Sequence, residues 1–167
     1  YLKLQEMRRK MFPFEFEAYQ SLLSIYNLNY GPDSAKTLLQ EAIDYGNVEK
    51  GLLALYNLQM GNGEYDEAEQ TLKRLSKEFP DRSEDRLKFA SIYEKQGRVE
   101  EAKQLLVEQE TLDPLNMDIQ VRLSYLDFKS LDMDEAFART EEGLQQSTTL
   151  VDSLRFLWIK VFFAQQM

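Results

Sequence analysis

Apolar residues along this chain return at intervals of three and four. Tyr19-x2-Leu22-x3-Tyr26, Ala35-x3-Leu39-x2-Ala42, Ala102-x3-Leu106 and Leu154-x2-Leu157-x3-Val161 each place their apolar members on one side of a 3.6-residue turn. Leu, Ala, Glu, Gln and Lys are abundant and β-branched runs are rare, so these segments are predicted to be helices. Gly31-Pro32-Asp33 and Gly61-Asn62-Gly63 interrupt the pattern as turns. Pro80 and Pro114 cannot continue a helix, so each is expected to end one. Residues 2–12 predict a helix ahead of the first of these pairs.

The pattern also repeats at long range. Asp66-Glu67-Ala68, Glu100-Glu101-Ala102 and Asp134-Glu135-Ala136 follow one another at 34 residues. Gly63-Glu64-Tyr65, Gly97-Arg98-Val99 and Leu131-Asp132-Met133 precede them in the same register, and Pro80, Pro114 and Thr148 share a further slot. Two antiparallel helices of this size cannot bury their apolar faces alone, so such units stack into a continuous core. Small residues are needed where two backbones approach closely, which is the role expected of the periodic Ala.

At these positions the chain resembles the tetratricopeptide repeat family, whose pattern runs W-x2-L-G-x2-Y, then A-x3-F, then P. The unit at 83–116 carries most of it: Phe89, Ala90, Tyr93, Gly97, Ala102, Leu106 and Pro114, with Arg86 in the opening aromatic slot. The unit at 49–82 has Leu52, Leu55, Gly63, Ala68, Leu72 and Pro80, but Tyr56 replaces a small residue and Gln59 a Tyr. A unit at 16–48 runs one residue short. The unit at 117–150 is degenerate: Leu123, Ser124 and Ala136 fit, and Thr140 stands in place of a large apolar side chain. Residues 1–15 are expected to form a preceding helix or cap, and 151–167 the first helix of a truncated repeat. The resemblance implies one array over 1–167, an all-α, right-handed α-α superhelical solenoid of about four helical hairpins plus terminal half-units. Asp81-x-x-Glu84 offers a capping-box start for the third unit.

Composition removes several kinds of chemistry. The chain has 29 acidic against 20 basic residues, a net charge of −9, which works against nucleic acid and anionic membranes. A pentatricopeptide array, which reads RNA, is disfavoured by the acidic balance and the period of 34. With no His and no Cys there is no thiolate nucleophile, no disulfide and almost no route to a zinc site. Asp66-Glu67, Glu100-Glu101 and Glu141-Glu142 are neighbours on a helix and do not face each other; most open a second helix, where acidic residues favour the dipole. Asp132-Met133-Asp134-Glu135 lacks the Gly and the terminal Glu of a calcium loop. The chain is therefore expected not to be an enzyme, and to use no catalytic residue, cofactor or metal. Leu154 to Ala164 is about half of the ~20 residues that cross a bilayer, and Arg155 and Lys160 interrupt it, so no membrane insertion is expected. The cytoplasm and a bacterial periplasm both remain open.

In the tetratricopeptide family the first helices of successive units line a groove that accepts a peptide or a helix. Carried over, the N-terminal slots are polar: Gln20, Ser24, Asn27, Lys50 and Asn57. The C-terminal slots are Lys88, Arg122, Tyr125, Phe128, Arg155, Phe156, Ile159 and Phe162. Lys88, Arg122 and Arg155 would form a basic stripe suited to an acidic segment, and the aromatics would supply apolar anchors. In the competing reading, Phe156, Ile159 and Phe162 pack against a second helix of the fifth unit. The lysine clamp of chaperone-binding members is missing, since Glu84 or Asp118 stands where a lysine is needed. The resemblance implies a protein–protein scaffold within a larger assembly protein, and for bacterial arrays an envelope-assembly, secretion or polysaccharide-export setting. Alternatives are homo-dimerisation through the apolar C-terminal helix, or a regulatory arm of a larger enzyme.

Overall fold

The structure, a computed structural model, describes residues 2–82 and 84–166; the outer edges of the expected units at 1, 83 and 167 lie outside the described residues. Among the described residues the chain is all-helical: α1 (Leu2–Met11), α2 (Phe16–Tyr30), α3 (Pro32–Asp44), α4 (Val48–Asn62), α5 (Tyr65–Glu78), α6 (Asp85–Gln96), α7 (Val99–Leu112), α8 (Met117–Lys129), α9 (Met133–Gln146) and α10 (Leu150–Gln166). The links within α2/α3, α4/α5, α6/α7 and α8/α9 are one to three residues long, short enough to return each helix antiparallel to its partner. These four hairpins, with α1 before and α10 after, are the expected all-α solenoid architecture. Two compact units are present, residues 1–85 and 86–167, and each is described by itself.

In the first unit Phe16, Tyr19, Leu22, Leu38, Leu39 and Ala42 form a buried cluster, with Leu2, Tyr26, Leu55 and Leu58 packed against it. The periodic Ala35 and Ala68 are wholly buried, where a larger side chain would force helices apart. Gln59 departs from the repeat pattern yet is buried, and it accepts a 2.8 Å hydrogen bond from the buried Thr71 hydroxyl on α5. The polar substitution is thus satisfied in place, which removes the usual cost of burying an amide. Helix α1 is tied down by charge more than by area. Arg9 pairs with Glu6 at 2.9 Å and with Glu41, and the Tyr26 hydroxyl donates to Glu6. Burial pushes the Glu6 carboxyl up, but the Tyr26 and Arg9 hydrogen bonds outweigh it and hold the group below its ordinary value. The other side of α1 leaves Leu4, Met7 and Met11 exposed.

Asp81-x-x-Glu84 does not cap α6, which begins at Asp85. Instead Arg82 gathers Glu49, Glu84 (2.8 Å) and Asp85 (3.3 Å), and the buried Asp85 also accepts from Ser76 Oγ at 2.7 Å. Arginine chemistry outcompetes the cap because three carboxylates converge on one guanidinium.

The second unit has one cluster of Ala90, Ala102, Leu106, Ile119, Leu123 and Leu126 and another of Ala136, Ile159 and Phe163. Between them lies a buried charge. Asp127 is fully enclosed and meets Lys103 from α7 and Arg139 from α9, the latter at 3.0 Å. Arg139 also pairs with Glu110 and, at 3.2 Å, with Glu135. Helix α10 is seated by a close approach. A Cβ added at Gly143 on α9 would lie 2.3 Å from the Phe156 ring, so the absent side chain is the space the ring fills.

The repeat also imposes turn geometry on a residue that resists it. Gly63 and Gly97 take φ of 78° and 75°, and Leu131, 34 residues on, takes 63°. The left-handed region costs an L-residue with a Cβ roughly 1–2 kcal/mol, and the 79% exposed Leu131 side chain gains little in return. Leu131→Gly is expected to raise stability by about 1 kcal/mol, seen as a higher urea midpoint at unchanged slope. Gly143→Ala is expected to cost about 1–3 kcal/mol by overpacking. Phe156→Leu in the same chain should recover part of that loss; two independent, additive effects in the thermal melts would contradict the contact.

Candidate functional site

Three elements of the second unit build the site, and α10 decides its shape. Thr149 caps this helix: the Asp152 amide donates to Thr149 Oγ1 at 3.1 Å, and Thr149 Oγ1 donates to Asp152 Oδ2 at 2.6 Å. The helix then buries Phe156, Ile159 and Phe163. Phe163 stacks on Phe128 with centroids 4.3 Å apart and planes 3° from parallel, and meets Phe137 edge-on at 5.6 Å. With that side fixed, helical periodicity turns Leu154, Trp158 and Phe162, spaced at i, i+4 and i+8, toward α8 and solvent.

The result is a predominantly apolar pocket of about 680 Å³. Val121 and Tyr125 from α8, Val151, Leu154, Trp158 and Phe162 from α10, and Glu94 from α6 are among its walls. Trp158 stacks on Phe162 at 5.5 Å, nearly parallel, and Phe162 reaches Tyr125 at 6.1 Å. Trp158 nonetheless remains 65% exposed. A continuous aromatic surface left open to water is the kind of feature that anchors a partner.

The two arginines at the pocket are already engaged. Arg122 pairs with Glu94 at 2.9 Å and donates to Ser91 Oγ at 3.0 Å and the Leu87 carbonyl at 3.4 Å. Arg155 pairs with Asp118 at 2.6 Å and lies 3.9 Å from Asp152. Arg122 also lies 4.0 Å from the same Asp118. The positive charge expected of a basic stripe is therefore met by three carboxylates of the same unit, because α6, α8 and α10 each bring acidic residues beside it.

Of the sequence-derived groove residues, Arg122, Tyr125, Arg155 and Phe162 come together at this pocket. Phe156 is turned away: it is wholly buried on Gly143 and serves the core. Phe128 is half-buried between Phe162 and Phe163, a backing wall and not a lining residue. Ile159 is 3% exposed and forms the floor. Lys88 is half-buried on α6 outside the pocket lining, and Asn57 is exposed on α4 of the first unit. Sequence reasoning missed Trp158, Leu154, Val121, Val151 and Glu94. The i, i+4, i+8 spacing of Leu154, Trp158 and Phe162 was the available signal.

Among the described residues no helix is long and apolar enough to cross a membrane. Residues 60–115 match the tetratricopeptide repeat family. No curated protein sequence matches the chain. Several solved structures share its fold. A tetratricopeptide repeat protein from Parabacteroides merdae ATCC 43184 has a TM-score of 0.72 at 13% identity, covering 97% of this chain and 62% of that one. MamA 41-end from Desulfovibrio magneticus RS-1 has a TM-score of 0.69 at 12% identity, covering 87% and 82%. YrrB, described as a tetratricopeptide protein with an unusual peptide-binding site, has a TM-score of 0.66 at 15% identity, covering 92% and 79%. The 34-residue period, the tetratricopeptide repeat match over residues 60–115 and the fold shared with solved tetratricopeptide structures agree with one another.

Proposed function

We propose that this chain is a non-enzymatic protein–protein interaction scaffold, a section of a larger assembly protein, that holds a partner helix or peptide in the pocket between α8 and α10. The observation that carries this reading is the open aromatic surface of Trp158, Phe162 and Tyr125 beside Leu154 and Val121. Its volume of about 680 Å³ accommodates one or two large side chains of a partner, within the range usual for binding sites. The description of YrrB as peptide-binding, on the same fold, is consistent with a peptide here as well.

The chemistry of the partner follows from the ion pairs. Arg122 and Arg155 face Glu94, Asp118 and Asp152, so an acidic segment would have to displace a carboxylate already in place. That exchange gains little, since one ion pair replaces another. The partner is an apolar-faced helix with Leu or aromatic anchors whose polar side is neutral or basic.

Trp158 is the single tryptophan of the chain and lies at the pocket, so its emission reports occupancy directly. Synthetic amphipathic helices bearing Leu and Phe on one face, with neutral, basic or acidic polar faces, are titrated into the chain. Neutral and basic peptides are expected to shift the emission to shorter wavelength with saturation, and Tyr125→Ala to weaken them about tenfold, roughly 1.4 kcal/mol. No shift with any peptide would remove the pocket as a binding site. A preference for the acidic peptide, lost in Arg122→Glu with Arg155→Glu, would restore the basic stripe instead.

A further inference from the structure

Helix α1 has two chemically different sides, and only one of them meets the protein. On the inward side Leu2 packs on the cluster of Phe16, Tyr19 and Leu22, while Glu6 and Arg9 enter the ion pairs that seat the helix. The opposite side holds Leu4, Met7 and Met11, which are 64%, 59% and 66% exposed. A 3.6-residue turn sets these three within roughly 60° of one another, as a single apolar stripe. Lys3 and Lys10 fall along one edge of the stripe and Arg8 along the other, all of them exposed. The one carboxylate of the helix, Glu6, belongs to the inward side.

The apolar exposure continues past the end of the helix. Phe12 and Phe14 are 49% and 73% exposed. A turn holds them there, with the Glu15 amide donating to the Phe12 carbonyl at 3.0 Å. The Phe14 ring stands edge-on to the exposed Tyr45 ring at 6.0 Å.

The free charge on this face is positive. Among the described residues Lys3 and Lys10 form no ion pair. Arg8 is balanced by Glu15 at 2.9 Å, and Arg9 by Glu6 and Glu41, so neither adds to the free charge. The nearby Glu17 is itself paired with Lys50 at 3.3 Å. The acidity of the chain is thus matched locally, and carboxylates farther away than about 8 Å are largely screened at physiological salt. The exposed apolar line of α10 differs on this point. There Arg155 pairs with Asp118 and Lys160 with Glu141, which leaves no free cation beside it among the described residues.

A stripe of apolar side chains edged by lysines suits a surface that is apolar beneath and anionic around it. The lysine stems lie along the stripe while their ammonium groups reach outward, and a layer of lipid headgroups meets them in every direction. A protein groove would answer the same face only with carboxylates placed along its rim. We infer that α1, with Phe12 and Phe14, lies in the plane of an anionic phospholipid surface. Leu4, Met7 and Met11 enter the acyl boundary, and Lys3 and Lys10 meet lipid phosphates. Such attachment is weak and reversible, because few apolar groups enter and two lysines supply the charge. The inference does not rest on the pocket, which belongs to the second unit.

The test uses the 167-residue chain and sedimenting vesicles of phosphatidylcholine, alone or mixed with phosphatidylglycerol. The parent is expected to sediment with the mixed vesicles only, and to be released as salt is raised. Met7→Asp with Met11→Asp, and separately Lys3→Gln with Lys10→Gln, should each lower the partition coefficient about tenfold or more. All four positions are exposed, so helicity by circular dichroism should match the parent. A chain carrying Trp158→Phe and Met11→Trp has its single tryptophan on α1. Its emission should shift to shorter wavelength on the mixed vesicles and be quenched by brominated acyl chains. A parent that stays in the supernatant with the mixed vesicles overturns the inference. So does binding that both α1 variants retain, which would place the contact on another surface. An emission shift with an acidic-faced amphipathic peptide, and none with vesicles, would assign the stripe to an acidic protein and overturn it as well.

Discussion

The approach of α9 and α10 at Gly143 governs the second unit. With no side chain at that position, the Phe156 ring lies against the α9 backbone itself, and the helix is thereby fixed in rotation as well as in distance. Once Phe156 is in, Ile159 and Phe163 follow on the same face, and Phe163 reaches its parallel stack on Phe128. The remaining residues of α10 have no freedom left. Leu154, Trp158 and Phe162 must face the space beside α8, and Leu150, Leu157 and Val161 must face solvent. One absent Cβ thus separates core from surface over a whole helix.

Electrostatics plays two different parts in this unit. Asp127 is enclosed with Lys103 and Arg139, so three helices are joined through a charge that would be costly if any partner were removed. The pairs of Arg122 and Arg155 lie nearer the surface and set character more than stability. They neutralise what a residue-by-residue reading counts as positive, and they leave the aromatic surface as the feature that distinguishes the pocket. The same division holds in the first unit, where Arg9 and Glu6 secure α1 while its apolar side remains uncovered.

The period and its phase were legible in the sequence because backbone crowding admits few residue types. Ala35, Ala68, Ala102 and Ala136 are all completely buried, and Gly63 and Gly97 take the left-handed turn that their slots require. Departures from the pattern were legible as departures but not as solutions. Gln59 needed Thr71 twelve positions away to satisfy it, and Leu131 accepts the glycine conformation because the hairpin on either side demands it. Of the thirteen expected groove residues five line the pocket, Arg122, Tyr125, Arg155, Ile159 and Phe162; Phe156 does not, because the slot rule takes no account of an unoccupied space at Gly143 on the neighbouring helix.

The sequence by itself determined that the chain is helical, that its helices pair in units of 34, and which small residues sit at the crossings. Those properties are local, set by propensity, turn chemistry and the tight spacing that only Ala or Gly allows. Only the tertiary structure decided which face of α10 is core, that Trp158 lines the pocket, and that Glu94, Asp118 and Asp152 meet the two arginines. Rotation of a helix about its axis and the pairing of charges between helices depend on neighbours distant in sequence. An apolar periodicity that runs nearly all the way round α10 is compatible with several rotations, and packing selects one of them.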